Sequence, residues 1–153
     1  MSVPDNLLYE YAVIRYVPRV DREEFINIGL IMMSKRNRWI KAMVLLDEER
    51  IKAIYPKADI DCLHNQSRLF ENPDVPEASL PVEEKYRWLT AVKSACLQVS
   101  PSHPGILSYA YTHETTTFSV TEGSFDCDNV SAAISVINLL EEEFTRLFSS
   151  LIL

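Results

Sequence analysis

The chain has 153 residues, 47% apolar and 24% charged, enough for one domain with its own hydrophobic core and unlike a disordered or low-complexity polypeptide. Its 22 acidic and 15 basic residues leave a net charge of −7, a field that repels phosphate and opposes broad, non-specific binding to nucleic acid or anionic membrane. The first residues lack the basic stretch and apolar run of a signal peptide, no apolar run is long enough for a bilayer, and Cys62, Cys96 and Cys127 are widely spaced with no CxxC pair. A soluble, cytoplasmic protein with reduced thiols is the expectation.

Leu8 to Val17 is rich in aromatic and β-branched types and predicts a strand, which Pro18 ends by withholding a ladder donor. Tyr9, Tyr11, Val13 and Val17 fall on one face and Ala12, Ile14 and Tyr16 on the other, so this strand should be central and covered on both sides. After the charged connection Arg19–Glu24, Phe25–Met33 and Trp39–Leu46 predict two more strands. The short polar link Ser34–Arg38 makes them an antiparallel hairpin. Gly29 inside the first of them predicts a bulge or the close approach of another backbone.

Asp47 is placed to cap a helix whose first turn holds Glu48 and Glu49, whose stripe is Ile51, Ile54 and Tyr55, and which Pro56 stops. A second helix starts near Asp59 or Asp61 and carries Ile60, Leu63, Leu69 and Phe70. Glu71–Pro81 reads as a loop, and Pro81 as the first residue of a short helix with Val82, Tyr86 and Leu89 on one face. Ala91–Val99 then predicts a strand, Ser100–Gly105 a sharp turn, and Ile106–Val120 an extended stretch with two short strands around His113-Glu114. Asp126 or Asp128 caps a long last helix reaching almost to Leu153, with Val130, Ile134, Ile137, Phe144, Leu147 and Leu151 as its buried stripe. The sum is one domain over residues 1–153 of α+β class: four to six strands in a mostly antiparallel sheet, packed against three or four helices including a long C-terminal one.

Two arginines are conspicuous by position. Arg15 lies among apolar residues of the first strand, and Arg87 lies beside Trp88 near the end of a helix. A buried guanidinium needs carboxylate or carbonyl partners, so the plain reading is a structural ion pair of Arg15 with Glu10 or Glu24. The sharper reading is a fork for an anion, for which guanidinium has the geometry. Lys35, Arg36, Arg38 and Lys41 around Trp39 could grip a nucleic-acid backbone and stack a base. Such residues also make a solvated hairpin tip that discourages edge pairing, and the net charge of −7 favours that reading.

Other chemistries lack their constellation. Cys62-x-His64, His103, His113-Glu114 and Asp126-Cys127-Asp128 are scattered over four segments without the paired ligands of a structural metal site, so neither a metal nor another cofactor is expected. Pro73-Asp74 followed by Glu83-Glu84-Lys85 fits the letters of a metal-dependent nuclease motif, but a proline-rich loop and a helix start do not bring those side chains to one metal, and the match is chance. There is no G-x-S-x-G elbow, P-loop or G-x-G-x-x-G fingerprint among only three glycines, and Ser100, Ser102 and His103 are neighbours in sequence only.

Tyr11–Pro18, Arg22–Gly29, Tyr86–Ala91, and Gln98–Pro101 with His103-Pro104-Gly105 form a series that resembles the bacterial family catalogued as domain of unknown function 3037. The resemblance runs from about Tyr9 to Gly105 and resumes at Leu140–Leu151. It implies a shared set of polar positions, Arg15, Glu24, Asn27, Arg87, Thr90, Ser94, Gln98, Ser100 and His103, with Arg15 and Arg87 as anion ligands if those positions form a site. Asn27, Thr90 and Gln98 equally suit the structural task of satisfying buried backbone groups. Residues 106–138 depart from the family pattern and read as a member-specific insertion. The resemblance further implies a neighbourhood with HipA-like kinases, and so a small accessory or interaction protein acting with a protein partner, a HipA-like kinase being the candidate. The alternatives are a small enzyme or ligand-binding domain holding an anionic substrate through Arg15 and Arg87, and nucleic-acid binding through the Lys35–Lys41 hairpin tip. The sequence decides neither for nor against enzymatic activity.

Overall fold

Aromatic and β-branched residues dominate β1 (Leu8–Tyr16), the strand on which the sheet is built. In the computed structural model, residues 7–71, 80–91, 94–107 and 127–153 are described, the last stretch with side chains from 136 onward. β2 (Ile26–Ser34) and β3 (Trp39–Val44) form the expected antiparallel hairpin, and β2 also pairs antiparallel with β1. The other edge of β1 is shared by β4 (Leu97–Val99) and β5 (His103–Ile106), both antiparallel to it. The result is a five-stranded sheet in the order β3-β2-β1-β4, with β5 beside β1.

Helices α1 (Glu48–Ile54), α2 (Ile60–Glu71) and α3 (Val82–Thr90) precede β4, and α4 (Cys127–Leu151) closes the chain. Asp47 caps α1 as expected, its carboxylate accepting from the N–H groups of Glu49 and Arg50. The Asp59 carboxylate accepts from Cys62 N at the start of α2. Pro81 proves to be the N-cap of α3 rather than its first helical residue.

The two faces of β1 feed two cores. Tyr9 and Val13, with Leu30, Met32 and Trp39, pack against Leu140, Phe144, Leu147, Phe148 and Ile152 of α4. Ala12, Ile14 and Tyr16, with Ile28, Ile31 and Met33, pack against Ile51, Leu63, Phe70, Tyr86 and Leu89 of the other three helices. The chain is therefore α+β, with an antiparallel sheet between two helical layers, and the central strand is covered on both sides.

Polar side chains fasten the C-terminal half of α4. Tyr9 Oη donates to Glu143 Oε1 at 2.9 Å, and Arg146 pairs with the same carboxylate. Trp39 Nε1 donates to Glu141 Oε1 at 3.2 Å, and Lys41 pairs with the other oxygen of Glu141. At the far end Asn27 Nδ2 donates to the Leu151 carbonyl, and Arg50 Nη1 to that of Ile152 at 2.7 Å, so side chains cap carbonyls that the helix leaves open.

Gly29 fulfils both of its expectations. The β1–β2 register pairs Ile14 with Gly29 and Arg15 with Asn27, leaving Ile28 as the extra residue of a bulge. A Cβ on Gly29 would also stand 2.7 Å from the carbonyl oxygen of Met43, so β3's backbone comes too close for any side chain.

Several expectations are corrected. Of the strand expected over Ala91–Val99, Leu97–Val99 is observed, Ser94 Oγ accepting from Cys96 N and Leu97 N and holding Ser94–Cys96 in a bend, while residues 92–93 lie outside the described residues. The sharp turn expected over Ser100–Gly105 is instead another bulge. Ile14 pairs with Val99 and Tyr11 with His103, so Ala12 and Val13 face three residues, Ser100, Pro101 and Ser102, and the chain continues along β1. In α4 the inward residue is Val136, while Ile137 is 36% exposed, and Leu151 is only half-buried beside buried Ile152. Residues 72–79 of the expected loop, 108–120 of the expected extended stretch, Asp126, and the side chains of Val130 and Ile134 lie outside the described residues. No helix among the described residues is long and apolar enough to cross a membrane.

Gly29→Ala is expected to lower stability by about 1–3 kcal/mol through overpacking against β3, read as a lower urea midpoint with unchanged slope. A second outcome concerns acid. The hydrogen bond from Arg146 holds the Glu143 carboxyl below its ordinary value, against burial. At Glu141 burial pushes upward, but the bonds from Lys41 and Trp39 outweigh it. Depressed native values contribute stability that is complete above the ordinary value of 4.5 and lost as pH falls through the native values. Urea midpoints taken downward from about pH 5 should fall for the wild type and fall less steeply for Glu143→Gln.

Candidate functional site

Where α3 crosses the sheet near the start of β1, a groove of about 810 Å³ opens between helix and strands. Its floor is the cross-strand pair Leu8 and Ile106 with Met33 and Pro104, side chains on the α3 face. Its wall is one side of α3: Glu83, Tyr86, Arg87 and Thr90, spaced as one helical face requires. Lys35 and Arg36, from the β2–β3 turn, stand at the rim.

Tyr86 ties the wall to the sheet. Its phenol and the Ser102 hydroxyl lie 2.7 Å apart, and burial pushes that phenol above its ordinary pKa. Beneath the groove, the Tyr9 ring lies across Gly105, where a Cβ would stand 2.2 Å from the ring. Leu8 is 40% and Ile106 55% exposed, so the floor is apolar surface left open to solvent. Glu10, Glu83, Lys35 and Arg87 line the groove without an ion pair among the described residues.

The polar positions implied by the family resemblance separate into distinct places. Arg87 and Thr90 belong to the groove, with Thr90 Oγ1 donating back to the Tyr86 carbonyl at 2.8 Å. Arg15 lies on the opposite, α4 face of β1, in register with Asn27 of β2 and Gln98 of β4. The two arginines thus occupy opposite sides of the sheet, and the shared anion site expected of them is not assembled.

Among the described residues Arg15 does not have the carboxylate partner expected of it. Glu24 is paired with Arg22 at 2.8 Å, while the Arg15 guanidinium lies 4.2 Å over the Phe25 ring. Gln98 is exposed and donates to the Ala95 carbonyl. His103 is exposed and rests on the Tyr11 ring at 5.2 Å, on the face away from Arg87. Ser94 caps its turn, and Ser100 is buried with its hydroxyl accepting from Val13 N at 2.9 Å and donating to the Pro101 carbonyl. These two serines satisfy backbone, the structural task considered for other members of the set.

The hairpin tip is no base-stacking platform. Trp39 is 9% exposed and meets Phe144 edge-on, while Lys41 is spent on Glu141. Arg38 is in the left-handed region with φ 49°, a turn residue, and only Lys35 and Arg36 reach the groove. Among the described residues no group of three or more His, Cys, Asp or Glu is placed to hold a metal ion. The Ser102 hydroxyl meets a phenol rather than an imidazole or carboxylate, so the groove holds no activated nucleophile at that position.

Leu8, Glu10, Met33, Tyr86, Ser102 and Ile106 were not singled out as site residues by sequence. The signal available was weak: Tyr86, Arg87 and Thr90 sit at helical spacing on a polar side of α3, but nothing local tells that the sheet beneath stays uncovered.

Ser100→Ala leaves the Val13 N–H without its acceptor in a buried position and should lower stability by about 1–3 kcal/mol. Hydrogen exchange at the Val13 amide should accelerate more than at Ile31, deep in the β1–β2 pairing.

No curated protein and no solved structure matches this chain. One family model does, over residues 11–116, a span that takes in all but the start of β1, the rest of the sheet and helices α1 to α3. That span includes the whole α3 wall and every described floor residue of the groove except Leu8. The chain belongs to the family described as "Protein of unknown function (DUF3037)".

Proposed function

We propose that this chain is a small accessory protein that acts by binding a protein partner, and that the groove beside α3 receives an apolar segment of that partner flanked by charges of both signs. The observation that carries the reading is the groove's composition: exposed Leu8 and Ile106 at the floor, with Glu10, Glu83, Lys35 and Arg87 around them and without an ion pair among the described residues. Burial of the apolar floor supplies affinity, and fixed charges of both signs supply orientation and partner choice. The lack of an activated nucleophile at Ser102 favours binding over turnover. The family resemblance adds a HipA-like kinase as the candidate partner. The cytoplasm is the proposed meeting place, since Cys62 and Cys96 are both free and exposed and suit a reducing compartment.

The test is affinity purification of the tagged chain from its own host at native expression, with mass spectrometry of what is retained. Wild type should recover one protein in stoichiometric amount, and Ile106→Asp should lower that recovery about tenfold while leaving circular dichroism and melting temperature unchanged. A solitary wild-type chain removes the accessory role. Equal recovery by the two forms keeps the role and moves it away from the groove.

A further inference from the structure

The two sides of the groove beside α3 constrain the shape of what enters it. Along the wall, Glu83, Tyr86, Arg87 and Thr90 fall at the spacing i, i+3, i+4, i+7, so the groove follows the axis of α3 for about two turns. On the floor, Leu8 and Ile106 are a direct cross-strand pair, and Met33 and Pro104 flank Glu10 in the next row. Among the described residues, α2 lies over β3 and α3 over β2 and β3, while Leu8 and Ile106 stay exposed. Strands stand about 4.8 Å apart and packed helices about 8–10 Å, so one helix covers about two strands. Among the described residues the helical layer on this face is therefore one helix short, over the shared end of β1 and β5.

An added strand suits the place less well. Among the described residues β5 pairs with β1 alone, so its outer edge is where a strand would join. The Leu107 N–H donates to the Leu7 carbonyl at 2.8 Å, and by alternation Ile106 and Pro104 turn their backbone groups outward. Proline has no N–H to give, so within β5 that edge offers the N–H of Ile106 alone.

We infer that the segment received by the groove is an amphipathic α-helix of about two to three turns, lying beside α3 with its apolar stripe on Leu8 and Ile106. It carries a basic residue facing Glu83 and, one turn along, an acidic residue facing Arg87. This rests on the reading of the groove as a partner's site and adds the partner's chemistry to it. Glu83 and Arg87 stand one turn apart on the wall, with no ion pair among the described residues, so charges in the complementary order fix the direction and register of the incoming helix.

The test is photo-cross-linking in the native host, with Leu8, Thr90 and Ile106 of the full chain replaced in turn by benzoylphenylalanine and the adducts mapped by mass spectrometry. The expected result is one partner segment whose labelled residues are three, four or seven positions apart, the repeat of a helix face. The exchanged form Glu83→Arg with Arg87→Glu keeps the net charge and should retain about tenfold less of the same protein, with its melting temperature measured alongside to show that it folds. Labels two positions apart mean an extended segment, and they overturn the helix while leaving the groove as the partner's site. Full retention by the exchanged form overturns the charge pairing and the helix register with it. Adducts to the chain itself or to a second copy, or no adducts while a protein still co-purifies, overturn both the helix and the groove as the partner's site.

Discussion

The rest of the structure depends on β1 having no free edge. Its backbone is paired on one edge with β2 and on the other with β4 and β5, and helices pack on both of its faces except at its start, where Leu8 is exposed. A strand in that position must be apolar on both faces, and every polar residue on it must be answered by a neighbour. Most are. Tyr9 finds Glu143, and the Val13 N–H finds Ser100. Among the described residues Arg15, between apolar neighbours in the same strand, is a buried exception, and it sits beside Asn27 near the end of α4.

Both neighbours of β1 carry a bulge. On the β2 side the extra residue is Ile28, and on the other side one extra residue falls within Ser100–Ser102. Each bulge re-aims the residues beyond it. The first lets Gly29 meet the backbone of β3, and the second brings Ser102 to Tyr86 and sets Pro104 and Ile106 along the floor of the groove. The groove thus arises from a local departure from regular pairing.

Much of this was legible in the sequence because it rests on short-range rules. Alternation placed the faces of β1, the carboxylate of Asp47 placed α1, and a lone glycine in an apolar run placed a bulge. What stayed hidden depends on distant partners. Ser100-Pro101-Ser102-His103-Pro104-Gly105 carries strong turn chemistry, yet a buried hydroxyl bonded to Val13 turns it into a kink within one continuous edge. Trp39 beside basic residues looks like a stacking platform until α4 covers it, and no local pattern reveals a helix about a hundred residues away. Arg15 and Arg87 were joined by residue type alone, and the sheet between them is what separates them.

The far end of the sequence completes the face that its beginning opens, since Glu143 answers Tyr9 across 134 positions and Glu141 answers Trp39 across 102. Contacts of that span make a slow-closing topology. A chain emerging from the ribosome forms the β1–β2–β3 meander with Leu30, Met32 and Trp39 bare until the last helix arrives. During synthesis this protein is therefore a sticky three-stranded sheet awaiting its cover, and chaperone demand and inclusion-body formation should track the time α4 takes to dock rather than the stability of the finished fold.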